Sequence, residues 1–291
     1  MFKLNTEKCI KCAKCVQDCI TGAIEIDENN QPMMKHTEKC LKCQHCFCVC
    51  PVGAITFNNK TPEDSQTPEF LDSEELLKHI KSRRSTRKFK NINVSKDTLN
   101  KLKNMLKYTP TGCNNHKLQF SFIEDIEVME DFRNKVNSKI INIINNQPAK
   151  FLLNQISTFA QYKEAFLNGE DIIFRNCPHM VVVSAPIDAP CFKEDGIIAL
   201  SYFELYANSL GLGTLWCGYA QLVLKLFPEF CEYLRIPKNY APVYCMLFGS
   251  RDIEYKRTTQ PEDYDYVTIE KYEENTDFWT KIKRRFTNSI R

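Results

Sequence analysis

Glycine is scarce in this chain, with nine in 291 residues. They form neither G-x-G-x-x-G nor a Walker A run, which excludes a glycine-rich phosphate loop. Any nucleotide phosphate must then be held by side chains. Long hydrophobic runs are also missing. The longest apolar region, Gly196 to Phe227, is interrupted by Glu204, Asn208, Gln221 and three internal glycines. It fails as a membrane span and reads as buried helix plus turn. Charge of one sign is not in excess, because 39 Lys and Arg face 36 Asp and Glu, for a formal net charge of +3. That balance gives neither nucleic acid nor a membrane surface a reason to bind. The first residues, Met1-Phe2-Lys3-Leu4-Asn5, offer no apolar signal segment, so a soluble, cytoplasmic protein is expected. His79, His116 and His179 lack the motif context of a general base, and no Ser/His/Asp or Cys/His nucleophile is legible.

Cysteine, by contrast, is plentiful. Cys9, Cys12, Cys15 and Cys19 read C-x2-C-x2-C-x3-C; Cys40, Cys43, Cys46 and Cys50 repeat the spacing and are followed by Pro51. Thiolates at those intervals can converge on an iron-sulfur cube, three from a tight loop and the fourth from elsewhere. Aligning Cys9 with Cys40 also aligns Glu7-Lys8 with Glu38-Lys39, Lys11 with Lys42, and Gly22-Ala23-Ile24 with Gly53-Ala54-Ile55. The segment is therefore an internal duplication. Disulfides need an oxidising compartment, and zinc ribbons hold paired C-x2-C knuckles apart by a longer insert. Neither suits this spacing. Cys48, a ninth cysteine in the second copy, reads as a small buried side chain. The six cysteines from Cys113 to Cys245 show no metal-type spacing, as expected in a reducing cytosol. The array resembles bacterial-type 2x4Fe-4S ferredoxins. The resemblance implies two 4Fe-4S clusters with crossed ligation: Cys9, Cys12, Cys15 and Cys50 on one, Cys40, Cys43, Cys46 and Cys19 on the other. Ile20 stands where that family usually has proline, which leaves the ligand set intact.

The cluster unit uses only residues 1–60, leaving a body large enough for its own core. In the unit, lysines outnumber acidic residues, although free-standing ferredoxins of this type tend to be acidic; one tethered partner would make a general docking face unnecessary. Residues 61–71 are polar, with Pro62 and Pro68 and no hydrophobic period, and read as a linker. The second domain is placed at 72–291. Asp72 or Ser73 can cap a helix carrying Leu76, Leu77 and Ile80 on one face. A second amphipathic helix is predicted from Lys96 to Tyr108, ending in the breaker-rich turn Thr109-Pro110-Thr111-Gly112. Three apolar runs read as strands: Leu118 to Ile123, Met180 to Ala185, and Val243 to Phe248. A largely helical stretch, Glu127 to Asn168, separates the first two, and a buried helix, Ser201 to Leu210, separates the last two. Strands alternating with helices point to a sheet covered on both faces. The charged, tyrosine-rich segment after Arg251 reads as a tail or as an arm around a partner subunit.

Arg83, Arg84, Ser85 and Arg87 offer forked guanidinium donors and a hydroxyl to a phosphate. Interleaved aromatics, which a single-strand binder would need, are missing from this short run. In order along the chain come Arg83-Arg84-Ser85-Thr86-Arg87-Lys88-Phe89, Pro110-Thr111-Gly112-Cys113-Asn114-Asn115-His116 before a strand, Gly211-Leu212-Gly213-Thr214-Leu215-Trp216-Cys217-Gly218, and a last strand ending at Gly249. These four pieces resemble the FMN-dependent nitroreductase family over roughly residues 72 to 258. The resemblance implies an α+β chain whose second domain is an αβα sandwich that dimerises, with FMN at the subunit interface. Carried over by position, Arg83 and Ser85, with Arg84 in the same run, would grip the FMN phosphate, and Arg257 would be a second phosphate contact. Arg87 would lie near the pyrimidine edge, where a fixed positive charge favours the anionic reduced flavin. Pro110, Thr111 and Gly112 would line the ring and Asn114 would hydrogen-bond it. Backbone near Trp216, Cys217 and Gly218 would face the reactive N5 region. His116 stands where many relatives have glutamine.

No residue of the chain is expected to do the chemistry itself. FMN takes one or two electrons and a cubane passes one, so paired clusters beside a flavin can deliver one hydride equivalent. The expected function is an FMN-dependent oxidoreductase that passes electrons between clusters and flavin and reduces a small electron-poor acceptor, a nitroaromatic, quinone or enone. The donor is NAD(P)H or an external ferredoxin. Two alternatives stay open: a non-catalytic electron-transfer or redox-sensing protein, and flavin fragmentation or dehalogenation on the same scaffold.

Overall fold

The computed structural model describes residues 1–146, 159 and 161–270. Residues 1–257 form one compact unit, and a second unit starts at Thr258. Of the latter, residues 258–270 are exposed and hold no helix or strand. The expected C-terminal arm otherwise lies outside the described residues.

The cysteine-rich part folds as the duplication dictates. Strand β1 (Phe2–Leu4), helix α1 (Lys14–Gln17) and strand β2 (Ile24–Ile26) are followed by β3 (Pro32–Met34), α2 (His45–Cys48) and β4 (Ile55–Phe57). β1 pairs with β4 and β2 with β3, both antiparallel, so one ribbon joins the start of the first copy to the end of the second. Phe47, Ile24, Ile55 and Phe57 are buried beside Cys15 and Cys46 in the small core this creates. The repeat reaches the backbone itself. Lys11 and Ala13 have left-handed φ, as do their counterparts Lys42 and Gln44, and so do Gly22 and Gly53. Between Phe57 and the next helix the chain holds a single 3-10 turn at Pro62–Asp64.

The larger part begins with α3 (Ser73–Ser82), capped by Asp72, whose carboxylate accepts from the Glu75 amide, and α4 (Lys96–Leu106), capped by Ser95. Then come β5 (Gln119–Ile123), α5 (Ile126–Asn146), α6 (Lys163–Leu167), β6 (His179–Pro186), α7 (Phe192–Ser209), β7 (Leu212–Trp216), α8 (Gly218–Leu226), α9 (Pro228–Tyr233) and β8 (Tyr240–Ser250). The sheet runs β5-β6-β8-β7, and each neighbouring pair is antiparallel.

Period-2 alternation sorts the two faces. Met180, Val182, Cys245 and Leu247 point into one core with residues of α5, α6, α8 and α9. Val181, Val183, Met246 and Phe248 point into the other with α4 and α7. All eight residues of β6 are buried, the mark of a central strand covered on both sides.

The structure corrects several sequence expectations. The sheet has a fourth strand, β7, which the sequence shows only as a glycine-containing motif. The buried helix begins at Phe192, nine residues before Ser201, because Cys191 in left-handed conformation turns the chain into a charged first turn. Of the stretch 127–168, α5 and α6 are helical and most of what separates them lies outside the described residues. Cys48 is exposed, on the outer side of α2. Among the described residues, no helix is long and apolar enough to cross a membrane.

Candidate functional site

Each thiol cavity draws on both copies of the repeat. Cys9, Cys12, Cys15 and Cys50 rim one, with Ile10 and Val52; Cys40, Cys43, Cys46 and Cys19 rim the other, with Ile20 and Leu41. Among the described residues no three Cys, His, Asp or Glu side chains close on a single-ion point; the thiols surround a space instead. Burial pushes the Cys15 thiol up and the Cys46 thiol up to about 12; a bound cation would reverse that shift and hold both as thiolates.

The repeated Gly-Ala-Ile has a job here. Gly53, at φ 58°, turns the chain back so that the Ala54 amide donates to Cys50 Sγ at 3.2 Å. At Cys19, burial raises the pKa, but bonds from the Thr21 hydroxyl and the Ala23 and Ile24 amides outweigh it and hold the thiol below its ordinary value. N–H bonds to sulfur of this kind tune a cluster. Alternating left-handed residues in each loop also turn successive amides to one side, the anion-holding nest found around such clusters. The donor set fits an iron-sulfur group.

In the larger part, the basic run leaves α3 and lies beside β7. Ser85 bridges Thr214, and the Thr86 amide donates to the Thr214 carbonyl at 2.8 Å. Within the run Thr86 is buried and Arg84 lies 6.0 Å over the Tyr255 ring. The chain after β8 returns along the same run: the Asp252 amide donates to the Lys88 carbonyl, and the Tyr255 hydroxyl donates to the Ser85 carbonyl at 3.4 Å. Arg257, two residues beyond Tyr255, is exposed. The close approach needs Gly213, whose added Cβ would fall 2.5 Å from Thr86 Oγ1. A cationic run built this way fits a phosphate.

Helix α7 is the common support, through residues that sequence reasoning passed over. Buried Asp195, in its first turn, accepts the Gly112 amide at 2.8 Å and so anchors the turn holding Pro110, Thr111 and Gly112. Glu204, also buried, takes Arg83 at 3.2 Å, Thr214 Oγ1 at 3.2 Å and Trp216 Nε1 at 3.0 Å. The two carboxylates are nine residues apart, roughly 13 Å along a helix. The only sequence signal for Glu204 was its place inside the longest apolar region.

The Trp216 ring meets Tyr244 edge-on at 5.3 Å. Cys217 caps α8, accepting from the Ala220 amide at 3.4 Å and donating to the Ile173 carbonyl at 3.3 Å. Burial pushes its thiol up to about 11, so it is a capping group and not a nucleophile at neutral pH. Gly218 lies under the Tyr244 hydroxyl. Asn114 Nδ2 donates to the Leu41 carbonyl at 2.9 Å, and its Oδ1 pairs with His116 Nε2 at 2.9 Å. Thr111 and His116 also border a cleft between α4 and β5.

The Nitroreductase family model matches residues 80–250, and the 4Fe-4S dicluster domain model matches residues 8–65. The chain belongs to the nitroreductase family and carries an N-terminal 4Fe-4S dicluster domain. Similar solved structures include a nitroreductase with bound FMN from Desulfitobacterium hafniense, 22% identical with a TM-score of 0.53, covering 68% of this chain and 100% of that one. A second, from Bacteroides fragilis and also with bound FMN, is 20% identical with a TM-score of 0.52 over 67% and 99% of the two chains. An FMN-dependent nitroreductase from Clostridium difficile is 16% identical with a TM-score of 0.51 over 68% and 100%. At these identities the likeness shows the fold. A search of curated proteins returned no match.

Proposed function

We propose that this protein is an FMN-dependent oxidoreductase in which two 4Fe-4S clusters and the flavin form one internal electron chain, ending in reduction of a small electron-poor acceptor of the nitroaromatic, quinone or enone type. The observation that carries this reading is the presence of two four-thiol cavities in the same compact unit as a nitroreductase fold. FMN, when bound, exchanges one or two electrons and so couples single-electron clusters to a hydride-accepting substrate. Arg83 and Ser85, held by Glu204 and by β7, grip the phosphate with Arg257, and Arg84 contributes positive charge. Arg87 faces the pyrimidine edge, where its charge favours the anionic reduced ring. Pro110, Thr111 and Gly112, pinned by Asp195, line the ring, and the backbone from Trp216 to Gly218 faces its reactive edge. The crossed sets Cys9, Cys12, Cys15, Cys50 and Cys40, Cys43, Cys46, Cys19 each hold one cluster. The protein works as a cytoplasmic homodimer fed by NAD(P)H or an external ferredoxin.

The test is an anaerobic preparation analysed for iron, sulfide and FMN per chain, then mixed with NAD(P)H or reduced ferredoxin and a nitroarene and quinone panel. Zinc in place of iron, or no yellow chromophore on denaturation, overturns the cofactor assignment. Bound cofactors with no acceptor-dependent reoxidation of the reduced flavin leave an electron-transfer or sensing role and overturn the catalytic one.

A further inference from the structure

The duplication gives each cluster loop a counterpart, and the two counterparts stand in different surroundings. Ile10 follows Cys9 as Leu41 follows Cys40. The Leu41 carbonyl accepts from Asn114 Nδ2 at 2.9 Å, and the same residue borders the cavity of Cys19, Cys40, Cys43 and Cys46. Ile10 borders the other cavity and is 60% exposed, against 36% for Leu41. Asn114 is also braced from behind. Its Oδ1 is engaged by His116, and Cys113, Asn114 and His116 all have left-handed φ. Asn and His tolerate that conformation better than most residues, whereas Cys113 does not favour it, and backbone of this kind gathers at functional loops. A strained turn next to the Gly112 anchor thus reaches across and holds one cluster loop but not its twin.

We propose that the internal electron chain has a fixed order. The cluster of Cys19, Cys40, Cys43 and Cys46 is the inner one that exchanges electrons with the flavin, the cluster of Cys9, Cys12, Cys15 and Cys50 is the outer one, and Asn114 is the positioning residue that seats the inner loop. This rests on the cofactor assignment above. In the reductive direction a low-potential one-electron carrier is oxidised as the outer cluster gains one electron. That electron passes to the inner cluster and on to the flavin. Two such passages, with one proton from water, give the anionic two-electron-reduced flavin.

Asn114→Asp keeps the side-chain shape and the tolerance of left-handed φ while removing the donor, and Asn114→Ala serves as a second variant. In anaerobic holoprotein, hydrogen exchange of the peptide spanning residues 40–44 should quicken by about fivefold, the equivalent of about 1 kcal/mol for one hydrogen bond. The peptide spanning 9–13 should exchange as in the wild type. In parallel, clusters are charged with reduced methyl viologen and flavin bleaching is followed. Methyl viologen is small enough to reduce either cluster directly, so bleaching should slow in both variants but far more in Cys43→Ser, which breaks the step to the flavin, than in Cys12→Ser. Equal exchange of the two loops in both Asn114 variants, or bleaching that is equal in the two cysteine variants or slower in Cys12→Ser, overturns the order. Iron, sulfide and FMN measured on the same wild-type sample separate the two claims: missing cofactor sinks the assignment, whereas full cofactor with the wrong asymmetry sinks only the order.

Discussion

Glu204 Oε1 lies 3.2 Å from Arg83 Nη1, so a buried acid on α7 sets the fork of the first arginine in the basic run. The ion pair contributes little by itself, because the Arg83 side chain is 34% exposed and solvent screens it. The larger effect comes from Thr214 and Trp216, which donate to the same carboxylate. Glu204→Ala should lower stability by about 2–4 kcal/mol by orphaning those donors, visible as a lower denaturant midpoint. Glu204→Gln should recover most of it. FMN retention after gel filtration should drop in the alanine variant and not in the glutamine one.

Gly213→Ala drives a methyl group into Thr86, with 2.5 Å to its Oγ1 and 2.7 Å to its Cβ. Both residues are held by strand pairing, so neither can yield without moving the basic run. A loss of about 1–3 kcal/mol is expected. Adding Thr86→Ala should return part of it, and a double-mutant cycle measures the coupling. Additive effects would show that the two positions do not meet.

Gly22 and Gly53 occupy equivalent places but predict unequal damage. Both have left-handed φ, which makes alanine unfavourable by about 1 kcal/mol. Only at Gly53 would the new Cβ also meet Pro62, at 2.9 Å. Gly53→Ala should therefore lower iron content more than Gly22→Ala. Equal losses would contradict the packing at Pro62.

Cys50→Ser tests which thiols share a cavity. Cys50 sits in the second copy yet borders the cavity of Cys9, Cys12 and Cys15. Iron should fall from about eight to about four per chain, the remainder carried by the Cys40 set. Loss of the same cluster in Cys43→Ser would mean each repeat binds its own.

His179 makes stability fall in mild acid. It is fully buried, and its Nε2 accepts from the Val94 amide at 2.9 Å. Burial pushes its pKa below the ordinary 6.5. Between those two values the unfolded chain binds more protons, so this contribution is full above pH 6.5 and is lost as the pH falls below it. The thermal midpoint should drop over that window, and His179→Gln, which keeps an acceptor for Val94, should flatten the drop.

What could be read from the sequence followed how local the cause was. The thiol spacing, the duplicated Gly-Ala-Ile, the Asp72 cap and the apolar run of β6 are short-range signals, and each marks its element. β7 escaped because it is a five-residue edge strand containing glycine, and its identity depends on Gly213 lying against Thr86. Glu204 looked like an interruption in an apolar region, and Asp195 stood unremarked just before it, because their partners lie 121 and 83 residues away. Asn114 could be read toward a ring from its motif, but its bond to Leu41 spans 73 residues, beyond the reach of any local pattern.

The pairing of Cys50 with the first loop, and of Cys19 with the second, carries a consequence for biosynthesis. During translation, three thiols of the first basket emerge early, but its closing sulfur is among the last of the unit to be made. The last thiol of the second basket, Cys46, is made only just before Cys50, so both sets of sulfurs become complete near the end of the segment and iron loading must wait for almost all of it.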